Sequence, residues 1–260
     1  AFVRKQKGKK EICLLIPFSG EVRQITNLDG LVMSPAWSFD GQKIVFTYLK
    51  NNRHFLGLWD RQTGQVKGRK LPGNTCISPV FTPGQRIAVS IDPEGNTDIY
   101  LLDKNLNLDR ALVKNWGIDI SPSFDSSGKK MVFVSSRLGN PHIFLLHLPE
   151  NRVERVTYEG KYNTSPSISP DGNLVAFSRL TAEGHRIFVL DLRTGTEKQI
   201  SFGPGNDEDP SFGPDGYFIA FTSNRSGQYK LYLTTRNGEK ARLLPTGQGE
   251  ATAPSWGIWE

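Results

Sequence analysis

Cysteine, histidine and long apolar runs are all scarce in this 260-residue chain. Its two cysteines, Cys13 and Cys76, lie far apart and form no CxxC pair. That removes zinc-ribbon and thioredoxin-like chemistry and leaves two small hydrophobes. Each of the four histidines, His54, His142, His147 and His185, lacks another His, Cys or carboxylate at ligand spacing, so surface or packing roles are expected. No apolar run approaches the roughly 20 residues of a membrane helix, so insertion into a membrane is not expected. The stretch Ala1 to Lys10 has neither an apolar core nor a cleavage site and does not read as a secretory leader. There is no G-x-S-x-G elbow, H-E-x-x-H pair or P-loop, and no catalytic residue is assigned.

The chain does contain 26 glycines, 16 prolines and 15 phenylalanines, which suits many short strands joined by tight turns around an apolar core. A small or acidic residue followed by proline recurs at Ser34-Pro35, Ser78-Pro79, Ser121-Pro122, Ser165-Pro166, Asp209-Pro210 and Ala253-Pro254, and successive prolines stand 44, 43, 44, 44 and 44 residues apart. One unit shows the internal pattern. Pro166 to Ser169 is followed by the turn Pro170-Asp171-Gly172, then by Leu174 to Ser178, Arg186 to Leu190 and Glu197 to Ile200, with turns between them. Period-2 alternation and glycine-bearing turns mark antiparallel hairpins. Four strands in about 40–45 residues is the arithmetic of a β-propeller blade. The first strand of each unit alternates small with bulky, Ala36 before Trp37, Ser123 before Phe124 and Ser167 before Ile168. This is a packing pattern for strands converging on an axis.

Three strands at the N-terminus (near Phe2, Glu11 to Ile16, and Glu21 to Ile25) plus a lone first strand at Ala253 to Trp256 complete a further blade. Such a join leaves no open sheet edge. The expected fold is all-β: one six-bladed propeller over residues 1–260, with four-stranded antiparallel blades. Blade one takes 1–30 plus 251–260, and the others start near 34, 78, 121, 165 and 209.

A net charge of +6 invites a nucleic-acid reading, but its distribution does not. Many basic residues, among them Lys67, Arg69, Arg152 and Lys198, fall on fourth strands, where Lys and Arg block edge-to-edge pairing. The aromatic interleaving of single-strand binders is missing, so no nucleic-acid partner is expected. The eight residues ending at each anchor (27–34, 71–78, 114–121, 158–165, 202–209 and 246–253) hold seven acids against two lysines, a net −5, and leave +11 on the rest. In a propeller these loops ring the channel mouth, and the neighbouring turns carry Lys5, Lys50, Arg53, Arg137, Arg179 and Arg225. The expected field is an acidic throat inside a basic collar, with Asp119, Asp207 and Asp209 as its leading residues.

The segments Met33-Ser-Pro-Ala-Trp-Ser-Phe-Asp-Gly41, Ser165-Pro-Ser-Ile-Ser-Pro-Asp-Gly172 and Ala253-Pro-Ser-Trp256 resemble the propeller repeat of the TolB family of the periplasmic Tol–Pal system. The resemblance implies a periplasmic, monomeric, non-enzymatic docking module with the lipoprotein Pal as partner. It places contacts one to four residues before the repeating prolines, here Thr75, Ser78, Asp119, Ser121, Asn163 and Ser165, to which the charge pattern adds Asp207 and Asp209. It further implies colicin translocation segments as ligands of the same face. No cofactor is required, although calcium in the channel is compatible with the family. The family's preceding α/β domain and TolA-binding terminus have no counterpart in these residues. The same generic repeat occurs in gating propellers of serine peptidases, and that is the alternative reading.

Overall fold

In the computed structural model, residues 1–16 and 19–258 are described, and they form 24 strands and no helix. The expected domain bounds also take in 17, 18, 259 and 260, which lie outside the described residues.

Four sheets are separate four-stranded antiparallel blades. They are β8 (Cys76–Phe81) to β11 (Leu108–Val113) through β9 (Ile87–Ile91) and β10 (Asp98–Leu102); β12 (Asp119–Phe124), β13 (Lys130–Ser135), β14 (His142–His147) and β15 (Arg152–Arg155); β16 (Asn163–Ile168), β17 (Leu174–Thr181), β18 (Gly184–Asp191) and β19 (Glu197–Gln199); and β20 (Asp207–Phe212), β21 (Phe218–Ser223), β22 (Lys230–Thr235) and β23 (Arg242–Leu243). The other eight strands share one sheet: β1 (Phe2–Gln6), β2 (Lys9–Ile16), β3 (Glu21–Gln24), β4 (Leu31–Trp37), β5 (Lys43–Lys50), β6 (Arg53–Asp60), β7 (Val66–Arg69) and β24 (Glu250–Thr252). A parallel bridge between Lys10 and Leu31 joins β2 to β4, so the expectation of six separate blades is corrected to four blades plus this eight-stranded sheet.

The buried clusters lie between neighbouring blades. Val45 and Leu56 of one sheet pack with Val89 and Leu102 of the next, and Val134 and Ile143 pack with Val175 and Phe177. The small residues of the first strands do more than make room. Ser123 Oγ accepts the Ile168 amide (3.2 Å), Ser167 Oγ that of Phe212 (3.0 Å) and Ser255 Oγ that of Trp37 (3.1 Å). Three of the blade interfaces are thereby bonded at the position where the bulky residue begins to fill them. The two ends of the chain meet: β1 pairs with β24, Ser255 N donates to Ala1 O at 2.8 Å, and Trp256 Nε1 donates to Ser211 O at 2.9 Å. Cys13 and Cys76 are buried and unpaired, and burial pushes the Cys76 thiol up to about 12.

Candidate functional site: the mouth loops

Every anchor residue has left-handed backbone: Ser34 (φ 49°), Ser78 (49°), Ser121 (57°), Ser165 (50°), Asp209 (50°) and Ala253 (51°). In the five complete first strands this residue and its proline form a bulge, so that Ile120 pairs with Val134 but the next pair is Ser123 with Val132. Proline has no amide to donate, so the bulge costs no ladder bond there. It also bends the strand and turns the anchor side chain. Successive anchors then meet. Ser78 Oγ and Ser121 Oγ are 3.4 Å apart, and Ser165 Oγ donates to Asp209 Oδ1 at 3.0 Å.

Asp119, Asn163 and Asp207, two residues before their anchors, are 0% exposed. Asp119 is paired with Arg137 (3.2 Å) and bonded by Asn115, and Asp207 is paired with Arg225 (2.8 Å). Asn163 Oδ1 accepts from Arg179 Nε at 2.8 Å. Each guanidinium rests over a cross-strand aromatic pair: Arg137 over Phe133 and Phe144, Arg179 over Phe177 and Phe188, and Arg225 over Phe221 and Tyr232. The expectation that Asp119 and Asp207 present negative charge to a partner is corrected, because both are covered and neutralised. Burial raises the Asp119 carboxyl above its ordinary range against the opposing pull of Ser135 and Arg137. Arg137 and Arg225 of the collar are counter-ions of the throat rather than part of a second, independent field.

The mouth loops are held at their bases by a residue class that spacing arguments missed. On third strands, the residue just before the first buried aliphatic reaches into the loop that follows its own blade. Glu11 accepts from Thr26 Oγ1 (2.5 Å) and Leu28 N (3.1 Å). Asp98 accepts from Asn115 N (3.2 Å). His142 Nδ1 lies 3.0 Å from Asn163 Nδ2 and its Nε2 lies 2.9 Å from Arg155 Nη2. Arg186 donates to Gly203 O (2.7 Å) and Gly205 O (2.6 Å), and Lys230 to Gly247 O and Gly249 O (both 2.7 Å). Asp98, His142, Arg186 and Lys230 stand 44 residues apart, a signal visible in the sequence once the register is known. Thr75 is half-buried. Its amide and that of Asn74 are held by Asp92 Oδ1 at 2.6 and 2.8 Å.

What remains acidic at the axis is Glu208 and Asp209. His185 Nε2 faces Glu208 Oε1 at 3.9 Å, its Nδ1 lies 3.1 Å from Ser178 Oγ, and its ring meets Tyr162 edge-on with centroids 6.1 Å apart. Burial raises the Asp209 carboxyl, opposed by the Ser165 hydrogen bond and reinforced by Glu208. Serine, histidine and glutamate in a row suggest a nucleophile, but Ser178 is buried and gives its proton to the Asp207 carbonyl (3.2 Å). Glu208 lies 3.9 Å from the other imidazole nitrogen, beyond hydrogen-bond distance, and with the serine buried and its proton committed the row is a packing network. Among the described residues no three His, Cys, Asp or Glu side chains converge as a metal set.

The TolB β-propeller domain family model matches residues 1–260. The chain belongs to this family. A Tol–Pal system TolB protein of Nitratidesulfovibrio vulgaris is 48% identical over 140 residues, 54% of this chain and 32% of that protein. The chain thus matches about a third of that relative's length. The crystal structure of TolB from Acinetobacter baumannii superposes with a TM-score of 0.87 at 23% identity, covering 99% of this chain and 66% of that one. The tricorn protease shares the fold at a TM-score of 0.72 and 17% identity, over 90% of this chain and 24% of that enzyme. Among the described residues no helix is long and apolar enough to cross a membrane.

Proposed function

We propose that this propeller is a non-enzymatic docking module of the Tol–Pal envelope system, acting in the periplasm and binding Pal on the channel-mouth face. The observation that carries the reading is the family match over the whole chain, supported by five mouth loops tied to their own blades by a third-strand polar residue, buried in every case but Lys230. Loops held this way present a fixed surface, and preorganisation lowers the entropy cost of binding. Ser78, Ser121, Ser165 and Asp209 supply hydroxyl and carboxylate groups around the axis, and Thr75 flanks them. Asp119, Asn163 and Asp207 support docking from beneath, by fixing loop shape. We further infer that the eight-stranded sheet acts as two of six blades, since its antiparallel quartets meet at a single bridge.

Calorimetry with purified Pal tests the proposal. Saturable one-to-one binding is expected, with the same affinity in calcium and in chelator, and no turnover of peptide, ester or glycoside substrates. A folded chain that fails to bind Pal rules the reading out.

A further inference from the structure

The mouth face is chemically lopsided. Trp116 (76% exposed), Leu138 (63%), Phe202 (60%), Ile118, Tyr162 and Leu180 are all exposed, and all lie on loops, or for Leu180 near the end of β17, flanking three successive blades, those opening with β12, β16 and β20. Backbone bonds make them one surface. Ser136 N donates to Ile118 O, which places the Trp116 loop beside the turn that carries Leu138. A Cβ on Gly117 would lie 2.6 Å from Arg137 N, so only glycine permits this approach. Asn163 N donates to Pro141 O, linking that turn to the Tyr162 loop, and Leu180 N donates to Tyr162 O. Arg186 ties the Phe202 loop to the same blade as Leu180. On the loops before β4, β8 and β24 no large apolar residue among those described is exposed, although Leu31 opens β4 and Leu243 ends β23. A contiguous apolar arc of this kind on a soluble domain marks an interaction site.

The inner end of the arc is charged. Tyr162 touches His185, His185 faces Glu208, and Asp209 follows in the chain. Among the described residues neither acid forms an ion pair with lysine or arginine, whereas Asp119 and Asp207 each have an arginine. The pair is a local anionic spot on a chain of net +6. It lies within the ring of loops, where a long side chain on a narrow segment reaches more readily than a broad surface.

We propose that arc and acid pair form one site for an extended segment of a protein partner, in which an aromatic or large aliphatic side chain is followed within a few residues by lysine or arginine. The apolar side chain packs against Tyr162, Leu180 and Trp116 while the cation meets Glu208 and Asp209. This deepens the docking role proposed above and rests on it.

The test uses three labelled twelve-residue glycine–serine peptides, carrying Trp and Lys, Trp and Glu, or Ala and Lys four residues apart, titrated by fluorescence anisotropy. The Trp/Lys peptide should bind about tenfold tighter than either of the others, a difference of about 1.4 kcal/mol. Glu208→Gln combined with Asp209→Asn should cut the preference over Trp/Glu below about threefold. Tyr162→Ala should abolish the preference over Ala/Lys, and Lys67→Glu on an outer edge should change nothing. Circular dichroism melts confirm that the variants are folded, and the single variants Glu208→Gln and Asp209→Asn stand in if the double one is not. No binding by any peptide, equal binding of Trp/Lys and Trp/Glu, or an undiminished preference in the folded acid variants overturns the proposal. Pal titrated alongside separates the two readings. If Pal binds wild type and the acid-pair and Tyr162 variants equally, this site falls and the docking role stands. If Pal does not bind but the peptide preference holds, the reverse is true.

Discussion

At the scale of single residues, one position repeated around the ring decides how each mouth loop is held, and its charge follows what the loop offers. Glu11 and Asp98 meet loop amides, whereas Arg186 and Lys230 meet loop carbonyls. Arg186 is 2% exposed and also donates to Glu183 O and His185 O, so removing it leaves four backbone carbonyls without their donor. Arg186→Met should cost about 3 kcal/mol, read from denaturant unfolding, and should speed hydrogen exchange in residues 202–206 first. His142 makes a different prediction. Burial, then Arg155 and Arg179, hold its pKa below the ordinary value, because a charged ring offers no acceptor to Asn163 or Arg155. The native state therefore binds this proton less tightly than the unfolded chain. Its contribution is complete above about pH 6.5 and lost as pH falls through the native pKa. Between pH 7.5 and 5 the melting temperature of wild type should drop more than that of His142→Gln. Equal drops would remove His142 from the account.

At the scale of elements, the anchor bulge unites sequence and function. The Ser-Pro, Asp-Pro and Ala-Pro steps were legible, and their spacing located the first strands to within about two residues: β12, β16 and β20 begin at Asp119, Asn163 and Asp207. The conformation of the anchor was not legible, because a residue before proline normally takes an extended form. Left-handed backbone at a non-glycine residue costs roughly 1–3 kcal/mol and survives where the surroundings over-determine it. Ser34, at φ 49°, offers a clean test. Ser34→Gly should leave stability within about 1 kcal/mol of wild type, whereas Ser34→Val should cost about 2 kcal/mol, since a β-branched side chain is least tolerant of positive φ. A tolerated valine would mean that the bulge relaxes freely and does not fix the mouth.

At the scale of the whole molecule, closure is made by the chain's two ends. Trp256 caps β20, and Ser255 binds both Ala1 and Trp37. Deleting everything from Ala253 onward leaves both neighbours without these bonds. It should cost roughly 5 kcal/mol, on the order of a domain's net stability, and lower the melting temperature by about 10 °C or more. A shift of only a few degrees would refute closure as a source of stability. Strands, turns and the meeting of the chain's ends were readable from period-2 patterns and the 43–44-residue repeat, although the closing strand is Glu250–Thr252 rather than the expected Ala253 to Trp256. The fused eight-stranded sheet was not, because a bridge between Lys10 and Leu31 depends on how closely two loops approach. Nor was the cancellation of Asp119 and Asp207 foreseen, since counting loop charges ignores partners on another strand. The Asp-to-Arg spacing of 18 residues, present at 119–137 and again at 207–225, carried that information.

Because each loop is secured by a side chain of its own blade, the heritable unit of mouth variation is a pair: a loop and one residue some seventeen positions upstream. Transplanting 202–206 in place of 114–118 should yield a floppy graft unless Asp98→Arg travels with it, since the incoming backbone presents carbonyls where the resident one presents an amide. Hydrogen exchange of the graft with and without that companion change measures the difference. Partner range in this scaffold would then diversify by exchanging matched pairs, blade by blade, while the ring beneath stays constant.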